Sequence, residues 1–535
     1  MHLWDGYRND ATQGDPAVSW GSAFPPLAEP DAWGVTFRVP LADGASKMAW
    51  IIHKGNDKSV PADQFLDIAA TGGEVWYSQG DTDSDGNAAL AAPVVAGVAA
   101  DMTRARAIWL EKGLIAWPYE ESESSRFYLA SSAKGGIVVD DEGIRGADTI
   151  LPLTYEFSLP TEYIQDQPYL SNYNSLLLDA SSDAVRQLLK GQVAVVEING
   201  GSQVPIRATG IQIGSVLDDV YSYSGGLGVQ WQGKTPTISV WAPTAQNVSL
   251  LLYSNGVTAN RSVVRMTADS ETGVWSVTGP SNWRNRYYKF RVSVYVPSVG
   301  AVVENESTDP YSLALATNST RSQIVDLNDA ATKPRGWDTL AKPRLDRIAD
   351  STIYELHVRD FSVADTTVPA AARGTYGAFT YKNSNGMRHL ASIAKAGMTH
   401  VHLLPVFDFA TVNEDKSTWV EPDKDYLSAL SPDAEGQQEE IDAVRGEDGY
   451  NWGYDPYHFT APEGSYAKNP MGGNRTKEFR SMVQGLATAG LRTVMDVVYN
   501  HTNAAGQGEK STFDKIVPGY YYRLNSDGTV ANSTC

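Results

Sequence analysis

Cysteine is nearly missing from this 535-residue chain: the single one, Cys535, is the last residue. No disulfide can form within the chain, so stability rests on packing, and the missing pairs leave the compartment open. Long apolar runs are missing as well. None approaches the roughly 18 residues of a spanning helix, which excludes a helical membrane protein. Positive charge falls short of negative, 43 Lys and Arg against 63 Asp and Glu, for a formal charge of −20. A phosphate backbone would be repelled overall, which argues against nucleic acid as a partner. Neutral partners, sugars among them, stay compatible with that charge. The opening "MHLWDGYRND" has neither a basic n-region nor an apolar h-region, so no signal peptide is read there. "MHLW" starts inside an alternating strand and "VANSTC" stops without a closing element, so a fragment at both ends is expected.

What is present in quantity is aromatic: 14 Trp and 27 Tyr. Both carry a flat apolar body with a polar edge, which matches the C–H faces and outward hydroxyls of a pyranose. Strands use the same residues for packing, and composition alone leaves the two readings open. The stretch "DGYNWGYDPYHFTAPEGSYA", 448–467, sharpens the question. Its rings are bracketed by Gly and Asp-Pro, which make turns rather than core. One ring face against a sugar removes about 40–60 Å² of apolar surface, on the order of 1–1.5 kcal/mol, so several rings are needed. Fixing them on Gly and Asp-Pro turns would limit the ordering entropy lost on binding.

Length predicts several domains. Residues 1–82 read as a small β domain, with "WGVTFRVPL", "KMAWIIHKG" and "GGEVWYSQGD" as strand runs. The small-residue stretch 87–102 reads as a connection. Residues 103–220 are mostly β, with one short helix at "SSDAVRQLLKG" starting near Ser182 or Asp183. Residues 221–335 alternate, turn and alternate again, as a sandwich does. From about 345 the pattern changes to strand–helix alternation: strands at 351–361, 399–407 and 492–501, helices at 387–398 and 474–491. Repeated βα units imply a parallel sheet, and long insertions after its strands imply a functional rim.

Alternation in "STIYELHVRDF" puts Glu355, His357 and Arg359 on one face, which must be paired or wet. A solvent-facing edge and a polar barrel interior both satisfy that. In "RTVMDVVYNH", Asp496 stands among valines and needs a partner. Asp455, Asp496 and His501 could converge with the ring-rich loop, where Tyr454 would floor a sugar pocket.

"DVVYNHT" resembles the first conserved region of the alpha-amylase family of glycoside hydrolases. "YNWGYDP" with "PEGSY" resembles the signature of type I pullulanases, starch-debranching enzymes, and "YELHVRDFS" their opening barrel strand. The acidic insertion at 420–456 is similar to the bacterial pullulanase and plant limit-dextrinase branch. "HLWDG", "IIHKGNDKSVPADQ" and "EVWYSQGD" look like the starch-binding module at pullulanase N-termini, and "ISVWAPTAQNVSLLLY" to "STDPYS" like the early-set module before debranching barrels.

The resemblance implies a multidomain fold. A starch-binding β-sandwich module lacking its first strand (1–82) comes first, then a mostly-β pullulanase N-terminal domain (103–220). An early-set β-sandwich (221–335) precedes the first strands and helices of an incomplete (β/α)8 TIM barrel (345–535). It also implies roles. Tyr454 would stack on the glucose before the scissile bond, His501 would hydrogen-bond that sugar, and Asp496 would brace neighbouring catalytic groups, with Asp455 beside them. In the N-terminal module Trp4 would be a sugar platform, or an ordinary strand Trp, and Lys54 and Asp57 polar contacts, or a solvated turn. No cofactor is required; Asn500 holds a position that binds calcium in some relatives, so the metal content stays open. The implied partner is α-glucan: starch, pullulan or limit dextrin. The implied location is extracellular or periplasmic.

Retaining cleavage needs a nucleophilic carboxylate and an acid about 5–5.5 Å apart. In this family the nucleophile lies in an Arg-x-Asp motif on the fourth barrel strand and the acid on the fifth. Neither motif follows His501 here. The expectation is a pullulanase-type α-1,6-glucosidase, of which these 535 residues alone lack the nucleophile and the acid and so do not cleave. The alternatives are a non-catalytic glucan-binding protein with a vestigial barrel, or a related isoamylase or branching enzyme.

Overall fold

The computed structural model describes residues 99–121 and 125–532 and, before them, residues 1–5, 18, 24, 26, 37–42, 45, 47–54, 57–58, 64–67, 76–82 and 88–91. The chain divides into two compact units, Met1–Ala99 and Ala100–Cys535.

In the first unit, strands His2–Asp5, Lys47–Ile51 and Gln64–Asp67 form an antiparallel sheet with Lys47–Ile51 at its centre. Leu3, Met48, Trp50 and Leu66 are buried together. Part of the "WGVTFRVPL" run lies outside the described residues. The stretch 87–102, expected as a connection, holds strand Ala88–Ala91, the boundary between the two units and the start of strand Ala99–Glu111, and its residues 92–98 lie outside the described residues.

The second unit opens with a small closed barrel. Its strands run in the order Ser125–Ser132, Thr149–Glu156, Asn174–Leu177, Leu114–Trp117, Ala99–Glu111, Pro205–Gln212 and Gln192–Asn199. Trp109, Ile115, Trp117, Leu129, Val193 and Val195 alternate inward and fill it. The short helix spans Ser182–Leu188, and its cap is Ser181, whose Oγ accepts from Ala184 N at 3.3 Å.

Two sheets follow, face to face. One holds Gly228–Gln232, Thr235–Trp241, Val274–Thr278 and Thr267–Ala268; the other holds Arg261–Arg265, Ala245–Tyr253, Tyr287–Val296 and Ala301–Ser307, with Ser322–Gln323 added. Ile238, Val240 and Trp275 of the first meet Val248, Leu250, Phe290 and Val292 of the second, in the core that also fills the small barrel.

Beyond residue 350 three short parallel strands, Ile353–Leu356, His400–Leu403 and Arg492–Met495, lie side by side in chain order. Helices Asn385–Lys395 and Gly473–Thr488 cover the face of Leu356, Val401 and Leu403 with Met387, Leu390, Met482 and Leu486. The closed barrel among the described residues is thus the small one at 99–212, while 345–535 holds a three-stranded parallel sheet. The strands are shorter than their alternation suggested. The first stops at Leu356, and the chain turns at once, with Phe361 N on His357 O at 2.9 Å. Glu355, His357 and Arg359 therefore do not share a strand face: Glu355 is exposed and His357 is buried. The third stops at Met495, so Asp496 to His501 are loop, tied back by Asp496 N on Leu403 O at 3.0 Å.

Candidate functional site

The excursion between the second and third parallel strands returns through strand Pro456–Pro462, which pairs with Phe407–Phe409. Just before that strand the ring-rich loop crosses the end of the third parallel strand. Gly453 has φ +90°, and a Cβ there would meet Pro405 Cβ at 2.7 Å, so the turn that presents Tyr454 accepts only glycine.

Tyr454 Oη donates to Asp496 Oδ2 at 2.7 Å. His501 Nε2 lies 2.7 Å from the Tyr454 carbonyl, an acceptor, so that nitrogen carries the proton. The loop and the strand end are thereby locked through one residue. The Tyr454 ring stays 42% exposed, Trp452 57%, with Tyr450 5.7 Å from Trp452. Partial burial, the bond to Asp496 and the negative charges of Asp496 and Glu355 push the Tyr454 phenol up to about 12, so it remains a neutral donor. Tyr466, at the far end of the stretch, is core. The wall of rings is therefore two-sided, open at 450–454 and buried at 466.

Other sequence-predicted groups turn inward. Asp455 Oδ2 accepts from Thr411 N at 2.9 Å and Thr411 Oγ1 at 2.6 Å, while its Oδ1 is buried without a partner. His501 Nδ1 is likewise buried without a partner. As the residues stand, Asp455 and His501 hold the loop, and Tyr454 and Asp496 edge its open side. In the first unit, Trp4 lies on strand His2–Asp5, and Lys54 and Asp57 are cross-strand partners of a two-residue ladder; their side chains lie outside what is described.

Sequence reasoning missed a buried ionic cluster. Arg475, at the start of helix Gly473–Thr488, donates from Nη1 to Asp408 Oδ1 at 3.2 Å and from Nη2 to Glu414 Oε2 at 2.7 Å. His458 Nδ1 is 2.7 Å from Asp408 Oδ2, and its Nε2 is 2.7 Å from Thr308 Oγ1. Oxygens of Asp408, Glu414 and Glu463 lie within 4.8 Å of one another, the only such grouping of possible metal ligands among the described residues. The Arg475 guanidinium already supplies the cation there, so the cluster is not a fit for a metal. Asn500 is exposed. The run "YDPYHFTAPE" carried a signal, His458 inside strand Pro456–Pro462 and Glu463 directly after it among mostly apolar neighbours; their partners, far off in the chain, were not legible.

With this geometry in hand, the chain can be compared with known proteins. Residues 1–84 match the Bacterial pullanase-associated domain, 104–219 the Pullulanase N2 domain, and 226–312 Carbohydrate-binding module 48 (Isoamylase N-terminal domain). Pullulanase 1, chloroplastic, of Arabidopsis thaliana is 43% identical over 80% of the chain and 45% of its own length. The pullulanase of Klebsiella pneumoniae is 36% identical over 100% of the chain and 52% of its own length. The crystal structure of PulA from Klebsiella oxytoca superposes with TM-score 0.78 at 34% identity, covering 100% of this chain and 54% of that one. A Klebsiella pneumoniae pullulanase complexed with maltotriose gives 0.74 at 33%, covering 99% and 53%. The chain spans about half the length of the curated relatives it matches.

A carbohydrate-binding module in line with pullulanase-specific domains defines the class, the modular proteins of starch debranching. Within it the chain belongs to the type I pullulanase family, corresponding to the N-terminal part of such a protein.

Proposed function

We propose that this chain supplies the glucan-binding modules and opening barrel strands of a pullulanase-type hydrolase, one that cleaves α-1,6-glucosidic branch linkages in pullulan, amylopectin and limit dextrins with retention. The observation that carries the reading is the joining of Tyr454, Asp496 and His501 beneath an exposed ring. Three parallel strands in chain order, with helices on one face, are what a (β/α)8 barrel begins with, which supports that reading of residues 345–535. Tyr454, with Trp452 nearby, offers the apolar face for a glucose ring. Asp496 orients the phenol and keeps its second oxygen for a sugar hydroxyl. Asp455 and His501 act through the loop they hold. Trp4, Lys54 and Asp57 are the corresponding contacts of the N-terminal module. The maltotriose complex of a Klebsiella relative supports α-glucan as the partner. The reading needs no cofactor. No helix among the described residues is long and apolar enough to cross a membrane. We read the site of action as extracellular or periplasmic; the Arabidopsis relative is named chloroplastic.

Residues 502–535 hold no Arg-x-Asp motif, so these 535 residues by themselves are expected to bind without cleaving. Calorimetric titration of the chain with maltotriose should show saturable binding, and incubation with pullulan should release no maltotriose. Release of maltotriose would overturn the division of labour; no binding at millimolar sugar would overturn the glucan reading.

A further inference from the structure

Behind the open rings, hydrogen bonds converge on one imidazole. His357 follows the first parallel strand and is 7% exposed. Its Nε2 lies 2.8 Å from Asn451 O and 2.9 Å from Tyr466 Oη; its Nδ1 lies 3.3 Å from Asp360 N. A backbone N–H only donates and a carbonyl only accepts, so these partners fix a neutral ring with its proton on Nε2. The rings of Tyr450, Trp452 and Tyr466 surround it at 5.3, 6.5 and 5.5 Å.

Asn451 carries the connection onward. Its Oδ1 accepts from Gly453 N at 2.6 Å, and its Nδ2 donates to Thr411 Oγ1 at 2.6 Å. Thr411 Oγ1 in turn donates to Asp455 Oδ2 at 2.6 Å. The residues on both sides of Tyr454 are thus reached from His357 through Asn451. The backbone of a turn rich in Gly has many conformations to lose, so a fixed anchor matters more here than in a strand.

We propose that His357 is the positioning residue of the 450–455 rim: a neutral imidazole that ties the end of the first parallel strand to the loop and so sets where Trp452 and Tyr454 face. Its consequence for sugar rests on the glucan reading above; its control of the loop does not. Protonation would convert Nδ1 from acceptor to donor, against Asp360 N–H in the same turn, and would leave the Nε2–H bond to Asn451 O in place. Burial lowers the ring's pKa, the nearby Asp360 carboxylate raises it and Arg359 lowers it; Tyr450 and Tyr466 are neutral phenols. The Nε2–H donor to Asn451 O is present in both protonation states, so the tie to the loop does not depend on the charge of the ring.

The test uses the 535-residue chain and two variants, His357→Gln, which keeps an amide donor and acceptor, and His357→Leu, which fills the space with neither. Hydrogen–deuterium exchange is read by mass spectrometry over 451–455, with 482–491 as the internal control, beside maltotriose titration. In the Leu variant, exchange over 451–455 should rise about tenfold and maltotriose affinity fall about tenfold, the scale of a lost hydrogen bond. Gln should recover most of both, with 482–491 unchanged. Equal behaviour of Leu and wild type over 451–455, or of Leu and Gln, overturns the assignment. If the loop responds but wild type binds no maltotriose, the positioning role stands and the glucan reading falls. Should Leu fail to fold, the wild type decides: nitrogen NMR of His357 at neutral pH should show the Nε2–H tautomer with a slowly exchanging ring proton, and an Nδ1–H tautomer or a freely exchanging proton overturns the assignment.

Discussion

Tyr454 joins two contributions that can be separated one atom at a time. Its ring face is apolar surface for a sugar, and its Oη holds Asp496 at 2.7 Å. Tyr454→Phe keeps the face and loses the bond, about 1 kcal/mol, so maltotriose affinity should fall about fivefold. Tyr454→Ala loses both and should fall about five- to tenfold further, by calorimetry. Equal losses would mean that the ring is not the platform. At this scale the sequence was informative about which residues meet. An Asp inside a valine-rich strand needs a partner, and the neighbouring motif supplied Tyr454. Atom direction was not legible. Asp455 and Tyr454 are adjacent in the chain, yet the carboxylate turns in to Thr411 while the ring turns out, because the side chain of Thr411, 44 residues away in sequence, captures it.

Helices and strands were legible where periodicity was long, and their ends were not. The apolar positions Phe479, Met482 and Leu486 place one face of helix Gly473–Thr488 on the sheet, as their spacing suggested. Parallel strands of four residues are too short for alternation to mark where they stop, and His357 and Asp496 fell beyond the last ladder bond. Gly485 shows what element packing adds. In an isolated helix, Gly→Ala would stabilise by about 1 kcal/mol. Here a Cβ would come within 2.3 Å of Phe379 O, a backbone atom in the 3-10 turn Tyr376–Thr380 that the helix rests on. The clash outweighs propensity because neither backbone can yield cheaply. Gly485→Ala should destabilise the chain by about 1–3 kcal/mol in urea unfolding; a gain in stability would mean that the two elements stand further apart.

Within the unit Ala100–Cys535, the sandwich segment meets the parallel-sheet segment through charges that are out of water. Asp408, Glu414, His458, Glu463 and Arg475 are buried at the junction of the sandwich segment and the parallel-sheet domain. Asn318 N donates to Glu414 Oε2 at 2.6 Å, Arg475 Nη2 to Ala316 O at 3.2 Å, and Thr308 meets His458. No local pattern could announce this, since its members are drawn from segments spread between residues 308 and 475. Three carboxylates against one guanidinium leave excess negative charge in a place with no water to screen it, and a bound proton relieves it. Burial first, and then the charge of Asp408, push Glu414 up to about 7 against the pull of Arg475; burial and the two neighbouring acids push Glu463 well above its ordinary value. The folded state thus keeps the Glu414 proton up to about 7, while the unfolded chain gives it up near 4.5. Between those values the folded state binds more protons, so stability falls as pH rises through that window and levels off above it. Asp309, buried and raised to about 6, adds to the same slope. The melting temperature should therefore decline from pH 5 to 7.5, and Glu414→Gln, which cannot ionise, should flatten that decline. A wild-type melting temperature that climbs over this range, or a Gln variant with an undiminished slope, would show that the junction carries no such proton.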